Sequence, residues 1–174
     1  MGIQFETDYN METLTAMAKG LRKTVRKKRS RRVHIFAAVV LVFGLLTILA
    51  TVAGGEPLGA SGVVTLLAML VVILVSLFED RLNAWFARKR LLPGTEHAVA
   101  TFEEDGYVSA TGVTESRFSY AQIVAVAETA RYFVFALSSH HTQAYDKRTI
   151  RGGSVEDFRA FIAEKTGKLV ENIK

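Results

Sequence analysis

Two long apolar runs constrain this chain more than any other feature of its sequence. The first extends from Val33 to Ala53 and the second from Ala60 to Phe78, and neither contains Asp, Glu, Lys or Arg. At a rise of 1.5 Å per residue, about 20 helical residues cross a hydrocarbon core of about 30 Å. Because a backbone in lipid must satisfy its own polar groups, both runs are predicted to be transmembrane helices.

Two other interpretations of these runs are weaker. A helix in a soluble core usually keeps a polar stripe toward water, and neither run has one. A cleaved signal sequence has an apolar region of only about 7–15 residues, and a second span does not normally follow it directly. Membrane insertion therefore remains the prediction.

The charges that flank the runs predict the orientation of the hairpin. The connection 54–59 is too short to do more than reverse the chain, and its only charged residue is Glu56. The flanking cations predicted to contact anionic lipid are Arg26, Lys27, Lys28, Arg29, Arg31 and Arg32 before the first run, and Arg88, Lys89 and Arg90 after the second. Since positive flanks stay on the cytoplasmic side, both termini are predicted to be cytoplasmic.

The excess of basic residues limits the classes of partner that we expect the chain to bind. It has 22 basic and 17 acidic residues, a formal net charge of +5. Cations close to an anionic membrane surface contribute about 1 kcal/mol each, so the bilayer is the expected partner. Nucleic-acid binding would need aromatic groups between the cations, and the run from Leu21 to Arg32 has none. The absence of cysteine excludes disulfides and Cys-based zinc sites.

The segments next to the membrane have helical patterns. Residues 3–7 alternate apolar and polar side chains as in a strand, and Asn10 then begins a helix expected to run through the basic segment into the first span. After the second span, residues 79–93 read as a basic interfacial helix, in which Trp85 is expected to anchor in the headgroup region. Pro93 and Gly94 are expected to end that helix.

The C-terminal part, 94–174, has the pattern of an α+β domain. Short alternating segments separated by turns predict an antiparallel meander, which would form a small β-barrel or curled sheet. Ser154 and Asp157 have the spacing of a capping box, and Gly167 follows the last turn of the closing helix. The predicted division is 1–32 strand and basic helix, 33–53 first span, 54–59 turn, 60–78 second span, 79–93 interfacial helix and 94–174 cytoplasmic domain.

Candidate chemistry in this domain is sparse. Lys147, Arg148 and Arg151 precede Gly152 and the closing helix, which makes them a candidate phosphate or headgroup site. The alternative is a flexible link with solvated charges. His140 and His141 are neighbours whose side chains point to opposite faces of a strand, so no metal site is predicted there. No catalytic residue, metal or cofactor is expected.

Several short motifs resemble the YcxB-like family of small bacterial membrane proteins. They are Phe102–Gly106, Ser119–Ile123, Glu128-Thr129 followed by Tyr132-Phe133, and Asp146–Arg148. The resemblance extends over most of the chain, from Ile3 onward. It implies that the soluble part is similar to a pleckstrin-homology-like (PH-like) domain capped by the C-terminal helix, and it brings no established activity.

The combined prediction is a non-enzymatic inner-membrane protein of unknown process. Its cytoplasmic PH-like domain is expected to bind a protein, a lipid headgroup or a second copy of the chain. The alternative is a small subunit of an oligomeric transport or channel complex, which would require several copies because two helices alone form no pore.

Overall fold

The structure is a computed structural model that describes residues 2–173, and these residues form an α+β fold with its long helices near the N-terminus. In chain order the elements are β1 (Ile3–Asp8), α1 (Met11–Lys23), α2 (Lys27–Ala53), α3 (Ala60–Leu77), α4 (Glu79–Lys89), β2 (His97–Phe102), β3 (Tyr107–Thr111), β4 (Glu115–Phe118), β5 (Ala125–Glu128), β6 (Tyr132–Ala136), β7 (Thr142–Asp146), α5 (Val155–Thr166) and β8 (Val170–Asn172).

The two predicted spans are the helices α2 and α3, which are long and apolar enough to cross a membrane. They pack on each other at Gly44, where an added Cβ would come within 2.7 Å of Met69 Sδ. The apolar stretches of both helices are otherwise unburied, and large side chains such as Phe36 and Phe43 are 70% and 65% exposed. A helix of a soluble core would be covered, so this exposure favours the membrane interpretation over the buried-helix alternative.

The predicted continuous helix from Asn10 into the first span is wrong. The helix α1 ends at Lys23, and α2 begins at Lys27 after a three-residue turn. Thr24 and Val25 are β-branched and form helices weakly. The Thr24 side chain donates to the Gly20 carbonyl at 2.8 Å, and the Arg26 amide donates to the Leu21 carbonyl at 2.9 Å. These bonds close α1 and turn the chain before the span.

Strand β1 belongs to the same sheet as the C-terminal strands. It pairs antiparallel with β2, in a register that runs from Ile3 opposite Phe102 to Asp8 opposite His97. Along the chain, all four helices α1–α4 are therefore inserted between two strands that are neighbours in one sheet. The N-terminal strand β1 thus completes the α+β domain that the C-terminal elements form. Two connections join this domain to the helical hairpin, one after β1 and one before β2.

The strands form two four-stranded sheets in the orders β1-β2-β3-β4 and β7-β6-β5-β8. The predicted α+β class and curled sheets are confirmed, but the described strands do not close into a barrel. Strand β8 was not predicted, and it pairs in parallel with β5, so the second sheet is mixed rather than a pure meander. Its side chains alternate poorly, since Glu171 and Asn172 are both exposed.

An aromatic core fills the space between the sheets and the closing helix. Phe5, Phe102, Phe133 and Phe158 are fully buried, and the Phe5 and Phe158 rings lie 4.7 Å apart. The Ser154–Asp157 capping box begins α5, and Gly167 ends it with a positive φ of 62°, as predicted. These contacts hold α5 against the sheets and fix the shape of the domain beside α1.

Candidate membrane-proximal interface

Helix α1 connects the soluble domain to the base of the hairpin. It packs on α4 on one side and on β6 and β7 on the other. Arg22 of α1 donates to both carboxylate oxygens of Asp80 in α4, from Nε at 2.7 Å and from Nη2 at 2.6 Å. The two side chains are only 22% and 17% exposed, so this bidentate pair is shielded from solvent. The hydrogen bonds that Arg22 donates to Asp80 raise the pKa of Arg22 above its ordinary value.

A second contact joins the start of α2 to the turn between β6 and β7. Arg26 Nε donates to the Ser139 carbonyl at 2.6 Å, and its Nη2 lies 2.9 Å from His140 Nδ1. Arg26 is the last residue of the turn between α1 and α2. The soluble domain therefore touches the hairpin base at α4 and at Arg26.

The remaining predicted lipid-contact cations surround this base. All are exposed: Lys27, Lys28, Arg29, Arg31 and Arg32 on the first turns of α2, and Arg88, Lys89 and Arg90 at the end of α4. The structure brings Arg29 and Arg90 together in one groove, described below, and leaves the others on the outside of the helices. Their contact with lipid stays a prediction.

Trp85, the predicted interfacial anchor, lies on α4 at the base of the hairpin. Its side chain is 44% exposed, its ring meets Phe86 edge-to-face at 4.9 Å, and Lys89 Nζ lies 3.6 Å from the ring centroid. An aromatic ring covered by a cation suits the boundary between hydrocarbon and phosphate. The anchoring role is consistent with this geometry and stays a prediction.

The candidate phosphate residues near α5 are each paired with a carboxylate. Lys147 Nζ donates to Glu128 Oε1 at 2.6 Å, Arg148 pairs with Asp146 at 3.0 Å, and Arg151 pairs with Glu6 at 3.1 Å. The positive end of α5 is occupied by Asp157, whose pKa is lowered by hydrogen bonds from Ser154. The three cations thus point to three different carboxylates, and a shared phosphate site there stays a prediction.

The family comparison covers the domain beside this interface. The family model described as YcxB-like protein matches residues 102–162. The resemblance to the YcxB-like family is confirmed. The match runs from the end of β2 into α5, about a third of the chain, and it begins well after the expected Ile3. No curated protein and no solved structure matches the chain.

Within the YcxB-like segment, sequence reasoning missed the ion pairs around the buried carboxylate Glu128. Its side chain is 5% exposed and accepts from Arg159 at 2.7 Å as well as from Lys147. Hydrogen bonds from Arg159 and then Lys147 lower the pKa of Glu128. The only sequence signal was an acidic residue directly after the apolar run 123–127, which is unusual because charges are rarely buried unless paired.

Metal ligands are not grouped anywhere in residues 2–173, where no three His, Asp or Glu side chains come together to hold an ion. His140 and His141 lie exposed on the β6–β7 turn, and their amides both donate to the Ser138 hydroxyl, at 3.1 and 3.0 Å. Ser138 therefore organises the turn that Arg26 contacts.

Proposed function

We propose that the protein is a non-enzymatic integral protein of the bacterial cytoplasmic membrane. Its two spans form an anchor, both termini are cytoplasmic, and the YcxB-like α+β domain, similar to a PH-like domain, is held against the inner surface to bind a lipid headgroup, a protein or a second copy. The observation that carries the proposal is the insertion of an exposed apolar hairpin between two paired strands, β1 and β2.

The distribution of charge supports the orientation. Cations precede α2 and follow α3, whereas the turn between the spans has Glu56 and no cation. This asymmetry is of the kind that retains a flank in the cytoplasm. Because the domain is connected on both sides of the hairpin, it lies on the same side as both flanks.

The fixed contacts at the hairpin base support an interaction role close to the bilayer. Arg22 with Asp80 and Arg26 with Ser139 connect the domain to both helices that meet the membrane surface. A domain held at two points samples fewer orientations than one on a single linker, which favours a defined surface toward lipid or toward a membrane-bound partner.

Cell fractionation tests the proposal. The full chain is expected in the membrane pellet and to resist an alkaline wash. A variant in which a short Gly-Ser linker replaces residues 10–95 is expected in the soluble fraction. Recovery of the full chain in the wash supernatant would contradict membrane integration, and lipid hydrolysis by the purified protein that one polar-to-Ala change abolishes would contradict the non-enzymatic assignment.

A further inference from the structure

A groove of about 640 Å³ lies at the hairpin base, between α1, the start of α2, α4 and the β6–β7 turn. We call it the interfacial groove, and the residues that matter for its chemistry are Leu21, Arg26, Arg29, Val33, Phe86 and Arg90. Its volume is in the range of about 300–1,000 Å³ that is typical of small-molecule sites. Val33 begins the first apolar run, so the groove lies at the depth of the lipid headgroups.

The interfacial groove has an excess of positive charge. Arg22, Arg26, Arg29 and Arg90 line it, against the single carboxylate of Glu79. The charge of Glu79 is itself partly balanced, since its Oε2 lies 3.7 Å from Arg22 Nε. The cavity therefore favours an anion.

Two of these arginines are free to bind that anion. Within residues 2–173 no carboxylate lies within 4.0 Å of the guanidinium nitrogens of Arg29 or Arg90, and both side chains are exposed. Arg22 is occupied by Asp80, and Arg26 is held by the Ser139 carbonyl. Arg29 and Arg90 come from different helices, so an anion between them would contact both sides of the groove.

The lining of the groove is apolar in part as well as charged. Val33 and Phe86 line it and are 54% and 52% exposed, and Leu14, Met17 and Leu21 of α1 add to the apolar part of the lining. A free phosphate or an acidic peptide would leave this surface in water, which is unfavourable. A phospholipid matches both parts, because its phosphate can meet the arginines while its glycerol and first methylenes cover the apolar wall.

We infer that the interfacial groove binds one anionic phospholipid through Arg29 and Arg90. This rests on the proposed function, since the groove must face the membrane. Binding in the groove requires Arg29 and Arg90. Binding to a diffuse basic rim would depend equally on the cations at the outer faces of the same segments. The lipid would also connect α2 to α4, adding to the bond between Arg22 and Asp80.

Native mass measurement of the full chain in neutral detergent tests the inference. The wild type is expected to retain one phosphatidylglycerol and to bind phosphatidylcholine weakly. Arg29→Gln with Arg90→Gln is expected to lower the phosphatidylglycerol affinity by about tenfold or more, because two cations near a lipid phosphate are lost. The matched control is Lys28→Gln with Arg88→Gln, which removes the same charge from the same two segments outside the groove.

Several results would overturn the inference. An equal loss in both variants would mean that the cations act as a diffuse rim, and no loss in either would remove the groove from lipid binding. Displacement by inorganic phosphate would assign a free-anion site, and an acidic peptide whose binding depends on Arg29 and Arg90 would assign the groove to a protein. Equal thermal melting of both variants excludes misfolding, and the alkaline wash reports separately whether the membrane assignment holds.

Discussion

Asp8 Oδ1 and His97 Nδ1 lie 2.7 Å apart at the end of the β1–β2 ladder, where both strands leave their sheet toward the helices α1–α4. One residue further out, the Tyr9 amide donates to the Glu96 carbonyl at 2.7 Å. The two connections to the hairpin therefore begin side by side. The chain is organised as a β-hairpin whose loop contains the two long apolar helices α2 and α3 and the two helices at their base, α1 and α4.

This arrangement predicts that residues 94–174 do not fold by themselves. Without β1 the fragment loses Phe5, a fully buried side chain that contacts Phe102, Phe133 and Phe158. The fragment is expected to give an uncooperative thermal melt, whereas the variant with a Gly-Ser linker in place of residues 10–95 is expected to melt cooperatively. A cooperative melt of the fragment alone would contradict the role given to β1.

Two aromatic residues of α5 should differ in their effect on stability. Phe158 is fully buried, so Phe158→Ala is expected to lower the free energy of unfolding by about 3–5 kcal/mol. Phe161 is only partly buried, and Phe161→Ala is expected to cost less than half of that. Denaturant unfolding of the linker variant measures both. Equal losses would show that α5 packs with a different face.

The buried carboxylate Glu128 predicts a pH dependence of stability. Its folded-state pKa lies below the ordinary value of 4.5, so its contribution is present above pH 4.5 and is lost as the pH falls through the lowered value. Glu128→Gln is expected to cost about 3–5 kcal/mol at neutral pH because it removes the buried carboxylate that Lys147 and Arg159 share. The gap between wild type and variant should narrow on acidification, and a constant gap would contradict the assignment.

The single tryptophan of the chain gives a direct probe of depth. In vesicles of phosphatidylcholine and phosphatidylglycerol, the emission of Trp85 is expected to shift to shorter wavelength and to be quenched most by lipids brominated near the headgroup. The reason is the preference of the indole ring for the interface. Strongest quenching by deep bromines, or none, would contradict the interfacial placement of α4. Trp85→Phe supplies the background signal.

The features that could be predicted from the sequence are those specified by local patterns. Uniform apolar runs specified α2 and α3, and the Ser154–Asp157 spacing with Gly167 specified both ends of α5. Alternation located the strands that fall within residues 97–146. In each case neighbouring residues carry the whole signal.

The features that were missed depend on distant partners. Phe5 pairs with Ala100 although four helices separate the two residues in the sequence, and no local pattern encodes this pairing. Strand β8 has three residues and pairs in parallel, so it shows little alternation. Lys147 looked like a free cation because its carboxylate, Glu128, lies on another strand. The turn at Thr24 was hidden by the basic residues on both sides of it.

The interfacial groove was also beyond sequence reasoning. Arg29 and Arg90 belong to segments separated by both spans, and only the antiparallel return of the hairpin brings them to one cavity. The sequence predicted which cations lie near the membrane surface, and the fold separates those that line the interfacial groove from those that do not.

Labelling of lone cysteines tests the central claim that the domain lies in the cytoplasm beneath a two-helix anchor. The chain has no cysteine, so Glu56→Cys and Ser139→Cys each provide one thiol without background. Glu56 is preferred to Gly55, whose φ of 73° would strain a side chain. An impermeant maleimide added to intact spheroplasts is expected to label Glu56→Cys at once and Ser139→Cys only after permeabilisation. Labelling of Ser139→Cys without permeabilisation, with Glu56→Cys protected, would contradict the account.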